Sequence, residues 1–400
     1  MLVPERPRLF VLYGLVFLYT AAMGLAMPLV PQFLRVEFGA GPLVIGLVAA
    51  VYGALQVFAR VPLGAWADRA GRRTAVLVAF LSTIAGGAFF VAAPSVAWII
   101  PGQVLFALSS SAFWVAANAY VVDVLPPERV PRAMTHYSVA MGLGFLVGPP
   151  LGGLADVFGF RAALAAFPVI GLLGAVLSFA LLDTGRSARR VPMGQAYREA
   201  AGLLREPVLL FSTAGTFTFA ILIGSMSTFL PVHLRALSYT AAAIGVVFTL
   251  REGAALAFRL GFARFLTNER AAVSMLAGIL LAAVATAALP LADTIVGIAV
   301  LSVVAGVGIG AIIPANLTLI ASAAPPDRRS LAMGLYGTAL GVGTSVSPPA
   351  LGWLAERYGL AWAFVGAGVV GAGLVVVLAV RLRSVVFGRA TGTPPLEEAI

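Results

Sequence analysis

The chain sets long apolar runs between short polar interruptions, and the runs are too long for strands. A bilayer-spanning helix needs about 20 consecutive, mainly apolar residues. Twelve stretches reach that length: 9–34, 43–65, 74–93, 96–121, 132–155, 162–182, 207–234, 242–262, 271–291, 294–322, 330–355 and 361–383. Short loops containing Arg, Pro or Gly separate them. In hydrocarbon each backbone polar group must find its partner within its own segment, so the runs predict twelve membrane helices. An outer-membrane barrel would instead alternate polar and apolar residues over segments of about 10 residues. The first run is longer than a signal-peptide core and no small-residue cleavage site closes it, so it reads as the first membrane helix.

The pattern repeats. Pro126-Pro127-Glu128-Arg129 returns as Pro325-Pro326-Asp327-Arg328, Ala133-Met134 as Ala332-Met333, and Tyr137 as Tyr336. Between 126–150 and 325–349, 12 of 25 positions are identical. Pro31, Leu34 and Arg35 match Pro231, Leu234 and Arg235, and Arg60 matches Arg259. Chance apolar similarity would not keep rare Pro, Arg and Tyr in register. Two six-helix repeats are expected, over 1–183 and 207–383, joined by an Arg-rich central loop at 184–206 and followed by a tail at 384–400.

Composition agrees with a membrane protein and narrows its chemistry. Mean hydropathy is +1.01 and only 10% of residues are charged, against about 25% in soluble domains. All 26 basic residues are arginine, giving a net charge of +10. This is not nucleic-acid affinity. Arg35, Arg161, Arg235 and Arg357 fall at one face, Arg251 lies within a span, and the remaining arginines share the opposite face. The positive-inside rule puts that arginine-rich face, both termini and the central loop in the cytoplasm of a multi-pass cell-membrane protein. Cysteine is absent and the two histidines, His136 and His233, are too scattered for a metal site. No cofactor motif, nucleophile–base set or phosphate loop is found, which argues against an enzyme.

The loop Gly64-Ala-Trp-Ala-Asp68-Arg69-Ala-Gly71-Arg72-Arg73 stands between the second and third spans. It resembles the signature loop of the major facilitator superfamily, G-x-L-A-D-R-x-G-R-R. The resemblance covers nearly the whole chain. It implies twelve helices in two pseudo-symmetric six-helix bundles, an all-α membrane fold, and secondary transport. It also implies that Asp68 helps hold the halves together at the cytoplasmic face, near Ser330. Asp123, ending the fourth span, matches the family's acidic partner for the loop arginines. The second-half counterpart, Ala263 to Arg270, lacks the G…D…G frame.

Gly144-Phe-Leu-Val-Gly148-Pro149-Pro150-Leu-Gly152-Gly153 in the fifth span resembles the antiporter motif of the same superfamily. Its glycines, four apart, make a close-approach face, and the proline pair bends the helix. In the family that face meets the eighth helix, across the two halves. Two departures stand out. Gln103 replaces the family's fourth-helix arginine, and the first span carries no acidic residue.

Glu252 is the one carboxylate placed at mid-membrane, beside Arg251, and Gly245, Glu252 and Arg259 share a helical face. A charge at a helix centre costs about 2.5–3.5 kcal/mol to insert, so function is the default reading. Proton coupling or substrate binding is expected there, with a structural ion pair as the alternative. In the family the first, fourth, seventh and tenth helices line the cavity. Here they carry Tyr19, Met23, Met27, Trp114, Asn118, Phe219, Ser225, Met226 and Asn316. This set is aromatic, rich in methionine and poor in amides, which suits varied lipophilic ligands. Proton-coupled efflux of lipophilic small molecules is therefore expected. An organic-anion carrier using Arg251 and a transporter-like membrane sensor are the alternatives. The expected partners are a small-molecule substrate, protons and the lipid bilayer, with no nucleic acid and the chain acting as a monomer.

Overall fold

A computed structural model describes residues 5–126, 128–184, 202–262, 267–324, 329–381 and 383, and these are helical with no strand. Most of the expected central loop, the tail at 384–400 and the Pro325–Arg328 repeat motif lie outside the described residues, as do residues 263–266. The helices are α1 (Glu5–Phe38), α2 (Pro42–Ala70), α3 (Arg72–Ala92), α4 (Val96–Val124), α5 (Val130–Leu151), α6 (Leu154–Phe158), α7 (Phe160–Leu164) and α8 (Ala166–Ser178). They continue as α9 (Pro207–Ala236), α10 (Ala241–Phe262), α11 (Asn268–Ala288), α12 (Ile295–Ala323), α13 (Arg329–Tyr358) and α14 (Ala361–Arg381). Among the described residues, 11 helical spans are long and apolar enough to cross a membrane. The remaining expected span, 330–355, lies within α13.

Local sequence explains where the helices stop. Gly71, at φ +96°, separates α2 from α3, and a Cβ there would strike the Asp183 carboxylate. The stop after α1 recurs after α9. Tyr239 N donates to Leu234 O at 3.1 Å, the closing bond of a Schellman turn, while Ala40 N reaches one residue further back, to Leu34 O, also at 3.1 Å. Gly39 takes the left-handed position in the first turn and Ser238 in the second. Arg35 Nη1 reaches Ala40 O at 3.3 Å and Arg235 Nη1 reaches Tyr239 O at 3.2 Å, so the repeated arginines do the same local work.

The described chain forms two compact units. The first holds the residues up to 184 together with 230–249, the ends of α9 and α10 that face each other across their turn. The second holds the remainder of α9 and α10 and the helices after them. In the first unit α1 packs along α5, and α3 packs on α4 and α8. In the second, α11 packs on α12 and α14.

The fifth-span motif sets the α1–α5 crossing. A Cβ on Gly144 would lie 2.4 Å from Phe17 O, and one on Gly148 would lie 2.4 Å from Ala21 O and 2.8 Å from Gly24 Cα. The neighbour of this glycine face is therefore α1, in the same half, and the expected neighbour, the eighth helix, is corrected. That helix, α10, meets the other side of the motif. A Cβ on Gly245 would lie 2.6 Å from Pro149 O, and one on Gly153 would lie 3.0 Å from Ala242 Cβ. Pro150 has no N–H for the carbonyl of Leu146, four residues back. Thr249 Oγ1 donates to that carbonyl at 3.3 Å. Gly152 N and Gly153 N turn back to Pro149 O and Pro150 O at 3.0 and 2.9 Å, which ends α5 and starts α6.

Because Gly148 meets backbone on α1, Gly148→Leu should separate α1 from α5 and destabilise the fold by about 3 kcal/mol, at the upper end of overpacking costs. Unfolding in detergent, followed by tryptophan fluorescence, measures this. An unchanged midpoint would contradict the assigned crossing.

Candidate functional site

Four polar groupings stand out in otherwise apolar helices. The first joins the signature loop to α4. Arg72, buried at the start of α3, donates from Nε to Asp123 Oδ2 at 2.9 Å and from Nη1 to Asp68 Oδ1. Thr184 Oγ1 also donates to Asp123 Oδ2, at 3.3 Å, and Thr184 O accepts from Arg72 N at 2.9 Å. One guanidinium thus holds both carboxylates and ties in the chain that follows α8. Arg73 lies 5.1 Å from the Phe179 ring centroid, a cation–π distance. Gly64 lets α2 lie close to α4, since a Cβ there would sit 3.3 Å from Val115 Cγ1. Arg69 ends α2 beside them. The side chains of Arg329 and Ser330, the expected opposite contact, lie outside what is described.

The second grouping is in the middle of α10. Arg251 is fully buried, and both its Nε and Nη2 donate to Glu252 Oε1, at 3.1 and 2.7 Å. Glu252 keeps 11% side-chain exposure. A Cβ on Gly306 would lie 2.3 Å from Arg251 O, so α12 approaches α10 at the residue bearing this charge. Arg259, two turns along, lies within reach of the Glu252 charge. The spacing along α10 thus sets Glu252 on Arg251 and on one helical face with Arg259.

The third grouping escaped the sequence reading. Tyr52 Oη and Gln56 Nε2 both donate to Ser110 Oγ, at 2.9 and 3.1 Å, and Arg60 Nη2 donates to Gln56 Oε1 at 3.1 Å. Tyr52, Gln56 and Arg60 stand four apart on one face of α2, a spacing the sequence carried openly. Beside them Ser109 bonds Tyr19 Oη at 3.2 Å and Thr83 Oγ1 at 2.9 Å.

The fourth, also missed, lies at the arginine-poor end. Asp156 Oδ1 and Oδ2 accept from the backbone N–H groups of Ala241 and Ala242, at 2.9 and 2.7 Å. Arg235 Nη2 approaches Asp156 Oδ1 at 3.4 Å, and Arg235 Nε donates to Gln32 Oε1 at 3.0 Å.

The expected cavity residues divide. Met23, Met27 and Trp114 are half-buried, and Asn118 is exposed with Nδ2 on Trp114 O at 2.8 Å. Tyr19, Phe219, Ser225, Met226 and Asn316 are buried. Tyr19 stacks on Phe113 with centroids 4.1 Å apart. Asn316 joins α12 to α9 through Ser212 and, at 2.5 Å, Thr216 Oγ1. Ser225 Oγ reaches Ala363 O of α14 at 3.4 Å. Mid-helix position was legible, but which way each side chain faced was not.

Known proteins resemble this chain. The family model described as Major Facilitator Superfamily matches residues 12–271 and 234–398. The tetracycline resistance protein, class C, of Escherichia coli is 30% identical over 187 residues, 46% of this chain and 47% of the relative. The chain therefore spans about half the length of the tetracycline resistance relatives it matches. Quinolone resistance protein NorA of Staphylococcus aureus is 21% identical over 373 residues, 93% of this chain and 96% of that one. A bacterial homologue of the human lysosomal transporter Spinster superposes with a TM-score of 0.73 at 15% identity, covering 97% of each chain, which shows the fold.

Removing one partner of a fully buried ion pair costs about 3–5 kcal/mol. Asp68 and Asp123 keep 36% and 26% side-chain exposure. Arg72→Leu should therefore cost less, about 2 kcal/mol, because water still reaches the abandoned carboxylates. A double-mutant cycle with Asp123→Leu, read by thermal unfolding, should recover part of the loss. Additive losses would show that Arg72 and Asp123 do not interact.

Proposed function

The chain belongs to the major facilitator superfamily, and on that premise we propose that it is a secondary active transporter exporting lipophilic small molecules in exchange for protons. Its halves, 1–183 and 207–383, rock so that a central site opens to one side of the cell membrane at a time. The arginine-rich face is cytoplasmic, in line with the positive-inside rule. Export is supported by relatives named for tetracycline, multidrug and quinolone resistance. A lipophilic cargo is supported by the half-buried Met23, Met27 and Trp114 and by the scarcity of amide side chains.

Glu252 is the observation that carries proton coupling. Its carboxylate holds the buried Arg251 guanidinium, and a proton and Arg251 compete for that one group. Protonation frees the guanidinium and the helix contact it orders; deprotonation restores the pair. The same pairing weighs against an organic-anion carrier, because an anionic cargo would have to displace Glu252 from Arg251. Asp68, Asp123 and Arg72, with Gly64, Arg69, Gly71 and Arg73, form the cytoplasmic gate in this reading.

A resistance and transport panel of lipophilic compounds and organic anions, run with and without a proton gradient, tests the assignment. Lipophile export that stops when the gradient collapses is expected, whereas gradient-independent carriage of anions alone would contradict it. Glu252→Gln should retain substrate exchange but lose gradient-driven export and its pH dependence; intact coupling in that variant would return Glu252 to a structural role. Asp68→Asn should abolish most transport without affecting membrane insertion, and at least half the wild-type rate would remove Asp68 from the gate.

A further inference from the structure

The proposed exchange leaves one buttressed carboxylate unused. Asp156 lies in α6, just beyond the Gly152–Gly153 break, and both its oxygens cap the first turn of α10. Backbone N–H groups at a helix start carry partial positive charge, so a carboxylate gains there from hydrogen bonds and from the dipole. Arg235, at the end of α9, faces the same carboxylate, bonds Gln32 of α1 and lies 5.3 Å from the Phe160 ring centroid. Gln32 is itself fixed, its Nε2 donating to Pro28 O at 2.8 Å. Behind Asp156, the contacts of Gly153 with Ala242, of Pro149 O with Gly245, and of Leu146 O with Thr249 continue the seam for two turns.

Every one of these residues belongs to the first compact unit, although 230–249 comes from the second sequence repeat. A carboxylate from the first repeat thus grips a helix from the second at the arginine-poor end.

We propose that Asp156 is a gate-positioning residue for transport. Seated on the N-terminus of α10 and faced by Arg235, its carboxylate holds 230–249 against α5 and α6 while the external side is closed. It must let go for that side to open. This role rests on the transport reading, but it is tested by accessibility rather than by transport.

The chain contains no cysteine, so one introduced cysteine reports alone. Leu29 is fully buried and lies 3.9 Å from where a Gly152 Cβ would stand. In Leu29→Cys protein in lipid nanodiscs, maleimide labelling should be slow. Adding Asp156→Ala should speed it about tenfold, the effect of losing a charged cap and its dipole interaction. Asp156→Glu should keep the slow rate. Ala242→Pro removes one of the two N–H partners at a position where a first helical turn tolerates proline, and should speed labelling by a smaller factor. Unchanged labelling in Asp156→Ala and Ala242→Pro overturns the proposal, whatever happens to the unfolding temperature; if Asp156→Ala fails to fold, Ala242→Pro decides. Faster labelling in a chain that exports no panel compound would leave the gate standing and remove the transport reading. Export with unchanged labelling would do the reverse.

Discussion

A charge carried into hydrocarbon has only the protein to solvate it, and this chain depends on meeting that demand inside its helices. Arg72 is shared between Asp68 and Asp123, Arg251 closes on Glu252, and Arg235 is divided among Asp156, Gln32 and a backbone carbonyl. Each arrangement lies at a different depth. Arg72 is at the arginine-rich end, Arg251 at mid-helix and Arg235 at the arginine-poor end. Pairing keeps these charges compensated, since uncompensated charge in a membrane interior is costly.

Close backbone approach supplies the frame for these pairs. Lipid offers helices no hydrophobic reason to associate, so packing rests on small residues and on polar atoms left free by proline. Gly144 and Gly148 seat α5 on α1, while Pro149 O and Leu146 O turn the opposite side of the same helix towards Gly245 and Thr249. One motif therefore does two jobs. Its glycine face builds the half, and its proline face meets the helix that carries Glu252.

Much of the fold was legible in the chain because spanning helices need length and hydropathy alone, and because Pro, Arg and Tyr kept register across the repeat. The Asp68–Arg72–Asp123 group was legible too, as its residues fill motif positions. Asp156 was not, because its partners are the backbone N–H groups of Ala241 and Ala242, which no side-chain pattern marks. Glycine spacing announced a close approach but could not say whether α1 or α10 would fill it. The partners of the mid-helix residues were hidden for a related reason. Tyr19 and Asn316 occupy the expected level, but helix rotation turns them into aromatic stacking and the α9–α12 contact.

Proton-driven export is the central claim, and the exchange itself tests it most directly. Wild-type protein in proteoliposomes, with a pH-sensitive dye inside, should couple the two flows. When a lipophile that the chain exports is supplied on one side, it should cross while protons move the opposite way, and a protonophore should stop its accumulation. Lipophile accumulation that proceeds at the same rate with the gradient collapsed, with no accompanying change in internal pH, would contradict the account.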